Sequence, residues 1–151
     1  MPTPSTSTQS EFHNTRVFNA SRERMWQAFA DPEQLVKWWG PAGFTNTIHE
    51  FSFEPGALWK YTMHAPDGTD YYNESELLEI VPSERIHVLH LRPMHRFHLT
   101  MTYDKIDDTQ TRLTWLMVFD DEAEADRVRA FVPAANEQNL DRLEALLKTA
   151  K

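Results

Sequence analysis

The run HRFHLTMTYDKIDDTQTRLTWLMVF, His95–Phe119, decides the fold. Phe97, Leu99, Met101 and Tyr103 alternate with His98, Thr100 and Thr102. After Asp107-Asp108 the alternation resumes, with Leu113, Trp115, Met117 and Phe119 set against Thr114, Leu116 and Val118. A period of two sends successive side chains to opposite faces of a strand, so the run predicts two strands sharing one bulky face. So much Trp, Tyr and Met on one face of a curved sheet requires a cover.

Toward the N-terminus the same period continues between turn signals. Phe44–Phe53 ends at Glu54-Pro55-Gly56, Ala57–His64 at Ala65-Pro66-Asp67-Gly68, Asp70–Val81 at Pro82-Ser83, and Glu84–Arg92 at Pro93-Met94. Six strands on short connections predict an antiparallel meander, because parallel neighbours need crossovers of about a dozen residues. In Ala57–His64, Trp59, Tyr61 and Met63 share the inner face.

Before the meander, Glu11–Ala20 reads as a first strand. Ser21 is an N-cap for a helix burying Met25, Trp26 and Phe29, and Asp31-Pro32 starts a second that Gly40-Pro41 stops. After the meander, Phe131, Ala135, Leu140, Leu143, Leu146 and Leu147 recur at helical spacing within Glu122–Lys148. Pro133 should split or kink that run, leaving Ala134–Lys148 as its regular part. The expected order is β-α-α-β6-α, an α+β chain whose long C-terminal helix covers the curved antiparallel sheet.

Composition narrows the function. The chain of 151 residues is one domain's worth, with 15 basic against 23 acidic residues and a net charge of −8. Without a basic stripe, nucleic acid is not an expected partner, and an acidic chain suits no anionic membrane surface. No cysteine is present, which excludes disulfides, thiolate nucleophiles and Cys-based zinc sites. Residues 1–10, MPTPSTSTQS, read as a disordered leader without a signal-peptide core, and 11–151 as a single domain. The cytoplasm is the expected compartment.

Five motifs carry a resemblance: DPEQLVKWWGP (Asp31–Pro41), EPGALW (Glu54–Trp59), APDGTDYYNE (Ala65–Glu74), LEIVPSERIHV (Leu78–Val88) and NLDRLEALL (Asn139–Leu147). In this order the chain resembles the bacterial proteins related to the C-terminal domain of the activator of heat-shock protein 90 ATPase, within the START-like, or SRPBCC, superfamily. The resemblance implies a helix-grip fold with a cavity between sheet and C-terminal helix. It also implies that His90 stands where an inward aromatic is common and Asn136 where Trp is frequent, both making the cavity more polar. Ala57 and Ser75 replace frequent glycines.

Two readings of the inner face stand: a packed aromatic core, or a partly hollow grip. The hollow reading predicts a site of Trp39, Trp59, Tyr61, Met63, His90, Leu99, Met101, Trp115, Met117, Asn136 and Leu140, holding a small apolar or amphipathic molecule. His90 is the candidate acid–base residue, with Tyr61 and Tyr103 as donors and Glu50, Glu74 and Glu79 as candidate partners. That set would suit cyclase or hydrolase chemistry, whereas a hydrogen-bonded core histidine is the plainer reading. His87 and His90, and His95 and His98, are three apart on strands and face opposite ways, and HExxH is absent, so neither metal nor cofactor is expected. The alternative to ligand binding is a stress-related co-chaperone contacting a chaperone or client through its surface at Trp38-Trp39 or the acidic stretch after Phe119. The chain is expected to be a monomer or a homodimer.

Overall fold

The computed structural model describes residues 10–92 and 96–149. All of the expected leader except Ser10, and the Pro93-Met94 turn, lie outside the described residues. Chain order is β1 (Glu11–Phe18), α1 (Arg22–Ala30), α2 (Pro32–Trp38), β2 (Thr45–Phe51), β3 (Leu58–His64), β4 (Asp70–Val81), β5 (Arg85–Arg92), β6 (Phe97–Asp107), β7 (Gln110–Phe119), α3 (Glu122–Val128) and α4 (Val132–Thr149). The expected order holds with one amendment. The C-terminal helical run is two helices, and Pro133 sits in the first turn of α4 rather than before it. There its missing N–H would lack a helical partner anyway. Phe131 falls in the break and is exposed, so it leaves the apolar stripe that Leu140 and Leu143 carry.

The seven strands form one antiparallel sheet in the order β1-β7-β6-β5-β4-β3-β2, the meander closed at one end by β1 against β7. Alternation sends Tyr61, Leu99, Met101, Trp115 and Met117 inward, and all five are buried. Two irregularities keep this face continuous. In β2, Ile48 opposes Tyr61 and Phe51 opposes Trp59, because His49 is an extra residue between them. In β4, Leu77 opposes Val88 and Glu79 opposes His87, with Leu78 extra. Such bulges bend a strand and raise its twist, which curls the sheet around its cover.

The covering helices are fixed by their caps. The Ser21 hydroxyl accepts from Arg24 N–H at 3.1 Å, and Asp31 caps α2 by accepting from Glu33 N–H at 3.0 Å. Trp38 donates its indole N–H to Ala28 O at 2.8 Å, locking α2 to α1. Arg16 of β1 reaches Glu137, Asp141 and Glu144 on α4 at 2.7, 2.9 and 3.1 Å, pinning the long helix over the sheet edge. Among the described residues no helix is long and apolar enough to cross a membrane.

Candidate functional site

Between the concave face of the sheet, α4 and the segment after α2 lies a cavity of about 360 Å³. Eight residues of the sequence-derived set line it: Trp39, Tyr61, Met63, His90, Leu99, Trp115, Met117 and Asn136. Trp59, Met101 and Leu140 do not. Trp59 stacks beneath Tyr61 at 4.4 Å and meets Trp39 and Phe29 edge-on at 5.0 and 5.4 Å. Met101 and Leu140 are fully buried in the packed core. All three share the parity or helical face of lining residues but sit further along their elements, where the layers close.

The wall also includes Gly40, Pro41, Phe44, Tyr71, Asn73, Phe97 and Asn139. Strand parity could have found Tyr71 and Asn73, which lie on the same face of β4 as Ser75 and Leu77; Phe97, which opposes His90, has the inner-face parity but is not in the expected site. Phe44 and the Gly40-Pro41 turn belong to a loop, where periodicity carries no signal.

The polar groups on this wall are mostly committed to one another. Asn73 donates its side-chain N–H to Tyr71 O at 2.9 Å, so its Oδ1 is the acceptor facing His90 Nε2, also at 2.9 Å. His90 therefore donates through Nε2, and its ring stacks on Phe97 at 4.6 Å. The carboxylates considered for it lie elsewhere: Glu50 meets Lys60, Glu74 meets Arg92 and Glu79 meets Arg85. Trp39 donates its indole N–H to the Tyr61 hydroxyl at 3.3 Å. Burial pushes the Tyr61 phenol up to about 12, partly offset by that bond, which keeps it neutral.

Asn139 holds the rim, donating to Trp38 O at 2.7 Å and accepting from Gly40 N–H at 3.2 Å. Asn136 donates to Asn14 Oδ1 at 3.1 Å and to Met117 Sδ at 3.3 Å. Asn14 in turn donates to Glu137 Oε2 at 2.8 Å. The bonds from Asn14 and Arg16 hold Glu137 below the usual carboxylate range. Among the described residues, no Asp, Glu, Lys or Arg lines the cavity.

The other histidines of β5 and β6 face outward. His87 Nε2 and His98 Nδ1 meet at 2.7 Å on the convex side. Among the described residues no group of three or more His, Cys, Asp or Glu could hold a metal ion.

A curved antiparallel sheet gripping a C-terminal helix, with an apolar cavity between them, defines a START-like helix-grip protein. The sequence model of the family described as "Activator of Hsp90 ATPase homolog 1-like protein" matches residues 19–148, and the chain belongs to that family. A solved protein from Arthrobacter aurescens is similar with a TM-score of 0.87 at 21% identity, covering 95% of this chain and 89% of its own. One from Mycobacterium smegmatis has a TM-score of 0.82 at 25% identity, covering 94% and 93%. The AHSA1 protein from Silicibacter pomeroyi has a TM-score of 0.73 at 17% identity, covering 91% and 97%. At these identities the likeness speaks for the fold. Among curated proteins, none matches the chain.

Proposed function

We propose that this chain is a binding protein that holds a small apolar or amphipathic molecule between its sheet and α4. The observation that carries the reading is the cavity of about 360 Å³, lined mainly by aromatic, methionine and amide side chains, with no Asp, Glu, Lys or Arg on its wall among the described residues. Pockets of about 300–1,000 Å³ with apolar walls and a few placed polar groups are the usual form of small-molecule sites. Trp39, Tyr61, Met63, His90, Leu99, Trp115, Met117 and Asn136 are the contact residues in this reading. Trp59, Met101 and Leu140 support them from behind.

The remaining readings find less support. His90 Nε2 is engaged by the Asn73 amide, and the three carboxylates considered as its partners, Glu50, Glu74 and Glu79, pair with Lys60, Arg92 and Arg85 instead. Trp38 and Trp39 are 1% and 9% exposed, which leaves no apolar docking surface at that pair. Native mass spectrometry of the freshly purified protein tests the proposal: a co-purifying small molecule is expected. Leu99→Trp, which fills the cavity, should remove it while thermal unfolding stays cooperative. A panel of apolar and amphipathic molecules that all fail to bind the wild type would overturn the reading.

A further inference from the structure

The cavity's amide groups are oriented, and one of them presents a single kind of hydrogen-bonding atom to the space. The orientation is set from outside the cavity by a chain of side chains. Arg16 donates to Glu137 Oε1 at 2.7 Å, and the other carboxylate oxygen accepts from Asn14 Nδ2 at 2.8 Å. An ionised carboxylate only accepts, so Asn14 must turn its amide nitrogen outward and its Oδ1 inward. That oxygen needs a donor, and Asn136 Nδ2 supplies it at 3.1 Å. Its second N–H points to Met117 Sδ at 3.3 Å.

Both Asn136 donors are thereby consumed. Flipping its amide would set two carbonyl oxygens, those of Asn14 and Asn136, against each other. Among the described residues nothing donates to Asn136 Oδ1. The residue is 8% exposed and lines the cavity. The acceptor thus belongs to a side chain of a more than nine-tenths buried residue on the cavity wall.

Resting on the reading of this cavity as a binding site, we infer that its ligand is a neutral, largely apolar molecule bearing a hydroxyl group, which donates to Asn136 Oδ1. A buried acceptor without a donor is unfavourable, and a hydroxyl satisfies it where an ether or a bare hydrocarbon does not. An ammonium would also donate, but among the described residues no carboxylate lines the cavity, and Glu137 behind the wall is already matched by Arg16. Trp39, Phe97, Trp115 and Met117 line the same cavity as Asn136 and supply apolar surface that suits an aromatic alcohol.

Three matched probes test this by isothermal titration calorimetry: 2-naphthol, 2-methoxynaphthalene and naphthalene. The wild type should bind 2-naphthol about tenfold more tightly than the methyl ether, the difference of one satisfied buried acceptor. Asn136→Leu should bring the two to near equality while naphthalene still binds. Asn14→Leu, which frees the Asn136 amide to turn, should also shrink the preference, an effect that a purely structural role for Asn14 would not produce. Equal binding of naphthol and ether by the wild type overturns the hydroxyl inference and leaves the cavity reading standing. A preference surviving in Asn136→Leu overturns the assignment to Asn136. No binding of any of the three overturns the cavity reading, and this inference with it.

Discussion

Arg142 of α4 donates its guanidinium to the carbonyl oxygen of Trp39 at 3.0 Å, tying the covering helix to the residue that forms one wall of the cavity. The same group reaches Gly40 O, Pro41 O and Lys37 O at 3.0, 3.1 and 3.0 Å. These are carbonyls at and beyond the end of α2, which have no helical partners and carry the negative end of its dipole. A planar fork serves several carbonyls at once, as a lysine cannot. Arg142→Ala is expected to destabilise the protein by about 1.5–3 kcal/mol, the range for hydrogen bonds to a charged group. Amide exchange should accelerate over residues 40–44, and Arg142→Lys should recover only part of the loss. Urea unfolding and hydrogen exchange check both statements.

Gly40 has φ +97°, and a Cβ there would lie 2.6 Å from Met63 Cε. The Met63 terminus can swing away, but the backbone strain remains. Gly40→Ala should cost about 1–2 kcal/mol by the left-handed conformation alone and push Met63 into the cavity. Gly68 has φ +93° with open space around it, so Gly68→Ala isolates the backbone effect. The two variants should unfold at similar urea concentrations, while Gly40→Ala alone weakens binding of a cavity probe such as naphthalene.

Acidification should be felt first at the β5–β6 pairing. Partial burial, then the neighbouring His98, hold His87 below its ordinary value of 6.5, with Glu79 opposing and Arg85 assisting. Asp120 lies 4.0 Å from the far nitrogen of His98. A lowered folded pKa means that the unfolded chain binds the proton more readily. The contribution is therefore fully present above about pH 6.5 and is lost as the pH falls from there through the folded value. Urea midpoints measured from pH 7.5 to 5.5 should fall more steeply for the wild type than for His87→Gln. Parallel curves would show that the histidine pair contributes nothing to the slope.

Leu140 belongs to the packed core rather than to the cavity, being fully buried one helical turn beyond Asn136. Leu140→Ala is expected to cost about 2–5 kcal/mol, since lost transfer energy and a new void add together. Calorimetric unfolding measures the loss. A change below about 1 kcal/mol would mean that the helix relaxes into the space, as an already loose interface would.

Much of this architecture is written in short-range pattern. The period of two in Ala57–His64 and His95–Phe119 assigned Tyr61, Leu99, Trp115 and Met117 to the inner face, because strand geometry leaves a side chain only two directions. Ser21 and Asp31 marked their helix starts, since a cap depends on residues two or three positions away. Pro133 announced a break but not its place: a proline is excluded from a helix interior yet welcome in the first turn, and the choice rests on how Phe131 and Val132 pack. Gly40-Pro41 reads in sequence only as a helix stop and Phe44 only as the start of a strand that begins at Thr45; their place on the cavity wall has no sequence signal, because no period governs a loop.

The sequence by itself determined the order of elements, the inward parity of the strands, the turns between them and the family. Each follows from local chemistry or from motifs in a fixed order. Only the tertiary structure decided where along that inner face the layers part, leaving Trp59, Met101 and Leu140 packed while Tyr61, His90 and Asn136 border a void. It also decided what the polar residues meet: His90 an amide 17 positions away, Asn136 an amide 122 positions away. Separation between layers and the orientation of a buried amide depend on contacts between distant segments, and a one-dimensional period holds no record of them.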